Sequence, residues 1–91
     1  MVKVVLSSVF STLTGGKREV EVEAEVIKDV LKKLTEIFGE NLKERFFDST
    51  GRLKWFITIY LNGTDIRLLE GTNTKVKRSD EILILHSVSG G

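Results

Sequence analysis

With 91 residues and no cysteine or proline, the chain has room for one small domain that buries about 60–65% of the surface its unfolded form exposes, too little for a core plus a deep catalytic cleft. Lack of cysteine excludes disulfides, iron–sulfur clusters and thiolate zinc sites, leaves packing to hold the fold, and suits a reducing cytoplasm. The 14 basic and 13 acidic side chains leave a formal charge of +1, which is no field for a polyanion, and no stretch approaches the ~20 apolar residues that cross a bilayer, so neither nucleic acid nor membrane is the expected partner.

Val2, Val4 and Leu6 alternate onto one face of a first strand, and Thr14-Gly15-Gly16-Lys17 offers residues that tolerate the positive φ of a hairpin turn. A second strand is predicted over residues 18–24, with Val20, Val22 and Ala24 inward and Glu19, Glu21 and Glu23 in water, the pattern of an antiparallel sheet covered on one side. From Glu25 the period changes. Val26, Ile27, Val30, Leu31, Leu34, Ile37 and Phe38 fall at helical spacing, Gly39 is a stop, and a good N-cap side chain is missing. Residues 41–47 are expected as a short helix or ordered loop, and Asp48-Ser49-Thr50-Gly51 as a turn. The strongest strand spans residues 53–61, with Ile57, Ile59 and Leu61 toward the core and Phe56, Thr58 and Tyr60 away from it; Asn62-Gly63 then turns the chain. A last strand covers residues 81–85. No linker or repeat interrupts this order, so a single domain is expected over residues 1–86, with residues 87–91 as a flexible C-terminal tail ending in Gly-Gly.

Strand, strand, helix, strand, strand on one sheet, with the handedness rule for parallel crossovers, predicts an α+β fold of β-grasp (ubiquitin-like) plan. This is a mixed sheet of four or five strands covered on one face by a helix, its first and last strands adjacent and parallel. The residues also carry a family likeness. The stretch Asn62-Gly63-Thr64-Asp65-Ile66-Arg67-Leu68-Leu69-Glu70-Gly71-Thr72-Asn73-Thr74, then Ser79-Asp80-Glu81-Ile82, then Val88-Ser89-Gly90-Gly91 resembles the MoaD/ThiS group of ubiquitin-like sulfur carriers, which includes the small subunit of molybdopterin synthase. Each piece alone is weak, and their order and spacing make the signal. The chain departs from the family where proline often precedes the tail: it has His86-Ser87 there, and it contains no proline at all.

The resemblance implies that Gly91 is the reactive residue. A free α-carboxylate is ionised at neutral pH and is a poor electrophile. In the family a partner enzyme adenylates it with ATP, and a sulfur donor displaces AMP to leave a C-terminal thiocarboxylate. Gly90 and Gly91 lack side chains, which suits a narrow channel, and Ser87 to Gly91 fully extended could reach about 17 Å. Gly90, Ser89 and Val88 are therefore expected to touch the partner, as are Phe56, Tyr60, Leu83 and Leu85 if they form an apolar patch on the outer sheet face. Trp55 could be core or rim. The implied partners are a MoeB/ThiF-like activating enzyme and a sulfur acceptor such as the large subunit of molybdopterin synthase; the implied place is the cytoplasm.

The chain is not expected to be an enzyme or to bind a cofactor alone, ATP being used by the partner. Gly15-Gly16-Lys17-Arg18 lacks the earlier glycine, the following Ser/Thr and the helix of a phosphate loop, and a hairpin turn is the better reading. His86, the sole histidine, has no cysteine or carboxylate cluster near it in sequence, so no metal site is expected. Two readings of other classes stand beside the carrier. One is a ubiquitin-like modifier conjugated through Gly91 to substrate lysines, and the other a non-reactive β-grasp module with a frayed end.

Overall fold

Period-two apolar spacing produces strand β1, Val2–Leu6, whose Val2, Val4 and Leu6 are buried, in a computed structural model that describes residues 1–87. β2, Glu19–Val22, pairs antiparallel with it, Val4 opposite Val20. The connection is longer than the tight hairpin expected. A 3-10 turn, Ser8–Leu13, first buries Phe10 completely, and Gly15 and Gly16 then reverse the chain at φ +64° and +86°. The Thr14 hydroxyl donates to the Lys17 carbonyl at 2.8 Å and locks that reversal. Residues 7–13 carry no readable period, so the helical turn and its core aromatic were invisible in the sequence.

Helix α1, Ile27–Phe38, buries Ile27, Val30, Leu31 and Leu34. Ile37, expected on that face, is 54% exposed because it falls on the flank of the stripe. As the sequence suggested, the residue before the helix, Val26, supplies no side-chain cap. Its place is taken by backbone: the Ile27 amide donates to the Thr74 carbonyl at 2.9 Å and the Val76 amide to the Glu25 carbonyl at 3.0 Å. Gly39, at φ +94°, ends α1 and starts α2, Glu40–Phe46, so the stretch left open between helix and loop is a helix. Its Leu42 and Phe46 are buried, and Phe46 meets Phe10 edge to face at 5.6 Å.

β3 is only Ile57–Leu61. Leu53 makes an isolated bridge to Phe47, and the chain turns at Trp55-Phe56 before the strand begins. Asn62 and Gly63, both at positive φ (+50° and +87°), make the two-residue turn to a short β4, Thr64–Asp65. β5, Glu81–His86, lies between β1, to which it is parallel, and β3, to which it is antiparallel. The five-stranded order is β2-β1-β5-β3-β4, the β-grasp arrangement. Val4, Leu6, Ile59, Ile82 and Ile84 from the sheet pack with Leu31, Leu34, Leu42 and Phe46 from the helices in one core.

Candidate functional site

β5 carries the expected site because it leads to the glycine pair. Its first half is held on both edges: Val4 is opposite Ile82 in the parallel pair, and Leu61 is opposite Ile82 in the antiparallel one. β1 ends opposite Ile84, so beyond that point β3 alone holds the strand, through Thr58 opposite Leu85 and Ile57 opposite His86. Ser87, the first residue of the expected tail, is still tied to the segment that leads into β3. Its amide donates to the Phe56 carbonyl at 2.6 Å, and its hydroxyl is 3.0 Å from that of Thr58. Val88, Ser89, Gly90 and Gly91 lie outside the described residues.

The motif residues upstream are what set β5 in place. Asn62 donates its side-chain amide to Asp80 at 3.0 Å, while its carbonyl oxygen accepts the Glu81 amide at 2.9 Å. The other Asp80 oxygen accepts the Lys77 amide at 2.7 Å, closing the turn that starts the strand. Asp65 accepts a two-pronged contact from the Arg67 guanidinium, 2.7 Å at its shortest, and also the Arg67 amide at 2.9 Å. Thr74 accepts the Glu70 amide on its hydroxyl and caps α1 with its carbonyl. The Asn-Gly, Asp-Ile-Arg, Thr and Asp-Glu pieces of the motif thus clamp the long connection between β4 and β5, and their role in the described residues is positional.

These contacts leave a charge signature. The Arg67 fork holds the Asp65 carboxyl below the usual carboxylate range and raises the guanidinium in return. Hydrogen bonds from the Asn62 side chain, then from the Lys77 amide, do the same to Asp80. At the start of β5, Lys3 lies 3.1 Å from Glu19 and 3.5 Å from Glu81, and its hydrogen bond to Glu19, with the charges of both carboxylates, raises its pKa. Lys3, Glu19, Glu81 and Arg67 are exposed enough that water screens them, whereas the side chain of Asp65 is only 17% exposed.

The sheet face opposite the helices is crossed by one row, Glu19, Val5, Leu83, Tyr60 and Asp65, each directly paired with the next. Val5, Leu83 and Tyr60, with Leu85 further along β5, are half-buried and make a small apolar patch with charged ends. Tyr60, Leu83 and Leu85 are therefore together as expected. Phe56 is not with them. The turn at residues 55–56 breaks the strand alternation, and the Phe56 ring packs on His86 at 4.6 Å and against the core, His86 in turn lying 6.1 Å from buried Phe10. Val5 was missed, although an apolar residue out of phase with Val4 and Leu6 was a readable signal. His86 Nδ1 is buried with no hydrogen-bond partner among the described residues. Trp55 is rim: it is 71% exposed and sits edge-on to Phe56 at 5.5 Å.

Among the described residues no three His, Asp or Glu side chains converge as a metal site, and no helix is long and apolar enough to cross a membrane. The ThiS family model matches residues 4–91. Sulfur carrier protein CysO of Mycobacterium tuberculosis is 30% identical over 92 residues, covering 99% of this chain and 98% of that protein. Among solved structures, small archaeal modifier protein 1 of Methanosarcina acetivorans aligns with a TM-score of 0.85 at 40% identity, over 99% of this chain and 95% of that one. A chain of the Amycolatopsis orientalis BexX/CysO complex aligns with a TM-score of 0.88 at 28% identity, over 100% of both. The chain belongs to the ThiS family and has the β-grasp fold of ubiquitin-like proteins, its curated relatives being sulfur carrier proteins rather than enzymes.

Proposed function

We propose that the protein carries sulfur on the α-carboxylate of Gly91. A carboxylate oxygen attacks the α-phosphorus of ATP in a partner's active site, pyrophosphate leaves, and an acyl adenylate forms. Sulfur at the oxidation level of sulfide then attacks the carbonyl carbon, AMP departs with the bonding electrons, and a thiocarboxylate remains. What supports this reading most is the course of β5: a central strand, clamped at its start by the motif residues, ends five residues before Gly91, and the family match runs through that residue. The activating partner is a MoeB/ThiF-like enzyme that covers the Val5, Tyr60, Leu83 and Leu85 patch. The sulfur goes to molybdopterin biosynthesis, through the synthase large subunit, or to a related cytoplasmic pathway. That a relative is known as a BexX/CysO complex is in keeping with a carrier that works bound to another protein.

A second reading is favoured by the 40% identity to a small archaeal modifier protein. The same activated carbonyl would be attacked by a substrate lysine amine, giving an isopeptide. Incubation with the MoeB/ThiF-like enzyme, ATP and sulfide separates the two by intact mass. Replacement of one oxygen by sulfur is the expected result. A ladder of heavier conjugates that disappears when Gly91 is deleted would support the modifier, and an unchanged mass under conditions that activate a control carrier would overturn both.

A further inference from the structure

We infer that Trp55 is a docking anchor for the enzyme that adenylates Gly91, which rests on the carrier reading above. The argument is one of reach. Four residues follow Ser87, and four residues can span no more than about 14 Å. Any active site that holds the Gly91 carbonyl must therefore press against the surface around Ser87. That surface includes Trp55, because Ser87 donates its amide to the Phe56 carbonyl at 2.6 Å and Trp55 is the preceding residue.

Trp55 is built to be covered. It is the sole tryptophan, and 71% of it is exposed while its neighbour Phe56 is packed against the core. Its backing is rigid: Trp55 rests edge-on against Phe56 at 5.5 Å, Phe56 on His86 at 4.6 Å, and His86 against Phe10 at 6.1 Å. The turn that exposes Trp55 is closed by the Ile57 amide donating to the Lys54 carbonyl at 3.0 Å. A large aromatic on a stiff support, close to the point where the reacting end leaves the fold, is the kind of residue that dominates an interface when a pocket desolvates it. Half-buried Lys54, whose ammonium lies 5.7 Å from the centre of the Phe56 ring, gives the rim a positive charge. The facing surface is an apolar pocket edged with carboxylates.

The test uses the full chain with 5-fluorotryptophan in place of its one tryptophan, together with the MoeB/ThiF-like enzyme of the same organism. The single fluorine resonance is expected to shift or broaden when the enzyme is added. Trp55→Ala should raise the KM for adenylation by about 30-fold or more, leave kcat and the melting temperature near wild type, and be partly rescued by Trp55→Phe. An unmoved resonance, or a variant with the wild-type KM, overturns the inference and leaves the carrier reading standing. A resonance that moves with protein concentration in the absence of enzyme shows that a second copy covers Trp55 and also overturns it. A wild type that is never adenylated overturns the carrier reading, and the anchor falls with it.

Discussion

The Asp80 carboxylate joins three parts of the chain, since one oxygen takes the Lys77 amide, the other takes the Asn62 side chain, and Asn62 in turn holds the Glu81 amide. Asp48 works similarly in its own turn, accepting the Thr50 hydroxyl and the Thr50 and Arg52 amides, and its pKa is lowered mainly by the Thr50 hydroxyl. With Asp65, three carboxyls thus have folded values below their ordinary one. The stability they add is fully present above the unfolded value, about 3.9, and is lost as pH falls through the lower folded values. Urea midpoints are expected to fall below about pH 4, and less steeply in Asp80→Asn; equal slopes in the two proteins would deny Asp80 its part. At the other end of the chain, Gly90→Val should stop adenylation by the activating enzyme without moving the melting temperature. Among the described residues the fully buried core extends no further than Ile84, and a large drop in melting temperature would contradict that separation of stability from chemistry.

At the level of elements, α1 and β3 were read from their periods, and the residues that matter in them are those the periods marked. Leu31 and Ile59 are each 1% exposed, so Leu31→Ala or Ile59→Ala should cost about 2–5 kcal/mol, measurable as a shift of the urea midpoint at constant m-value. Ile37 obeys the same spacing yet stands on the flank, so Ile37→Ala is expected to stay within about 0.5 kcal/mol of wild type, and a cost like that of Leu31→Ala would place it back in the core. The 3-10 turn over Ser8–Leu13 and the break at Trp55-Phe56 were not legible. Both are short, lack a period of their own, and exist because they bring an aromatic ring to a hole that the rest of the fold leaves: Phe10 against Phe46, Phe56 against His86.

Across the whole molecule the two sheet faces divide the work. The helix side holds the core, while the open side carries half-buried Val5, Tyr60, Leu83 and Leu85 between the Lys3, Glu19 and Glu81 ion pairs at the start of β5 and the Asp65–Arg67 fork at the β4 edge. If this patch docks the activating enzyme, Leu83→Asp should weaken the complex by about tenfold or more with the far-ultraviolet circular dichroism unchanged. Titration calorimetry that returns the wild-type Kd would remove the patch from the interface. Together with Trp55 beside Ser87, the patch lies on the strand system whose last strand, β5, ends at His86.

The sequence by itself determined the class of fold, the main helix, the order of the principal strands and the family, because each rests on local periodicity or on short motifs at fixed spacing. It also marked Tyr60, Leu83 and Leu85 as facing away from the helix, since alternation along a strand is a local property. The β-grasp plan also placed the first and last strands side by side and parallel, but only the tertiary structure decided the register of that pair and where β3 and β4 join the sheet. That pairing put Val5 beside Leu83, turned Asn62 and Asp80 into one clamp across 18 residues of sequence, sent Phe56 to the core edge and left Trp55 in water. The physical reason is that pairing across a sheet and the filling of a core join residues distant in the chain, and no period read along one strand records what lies next to it.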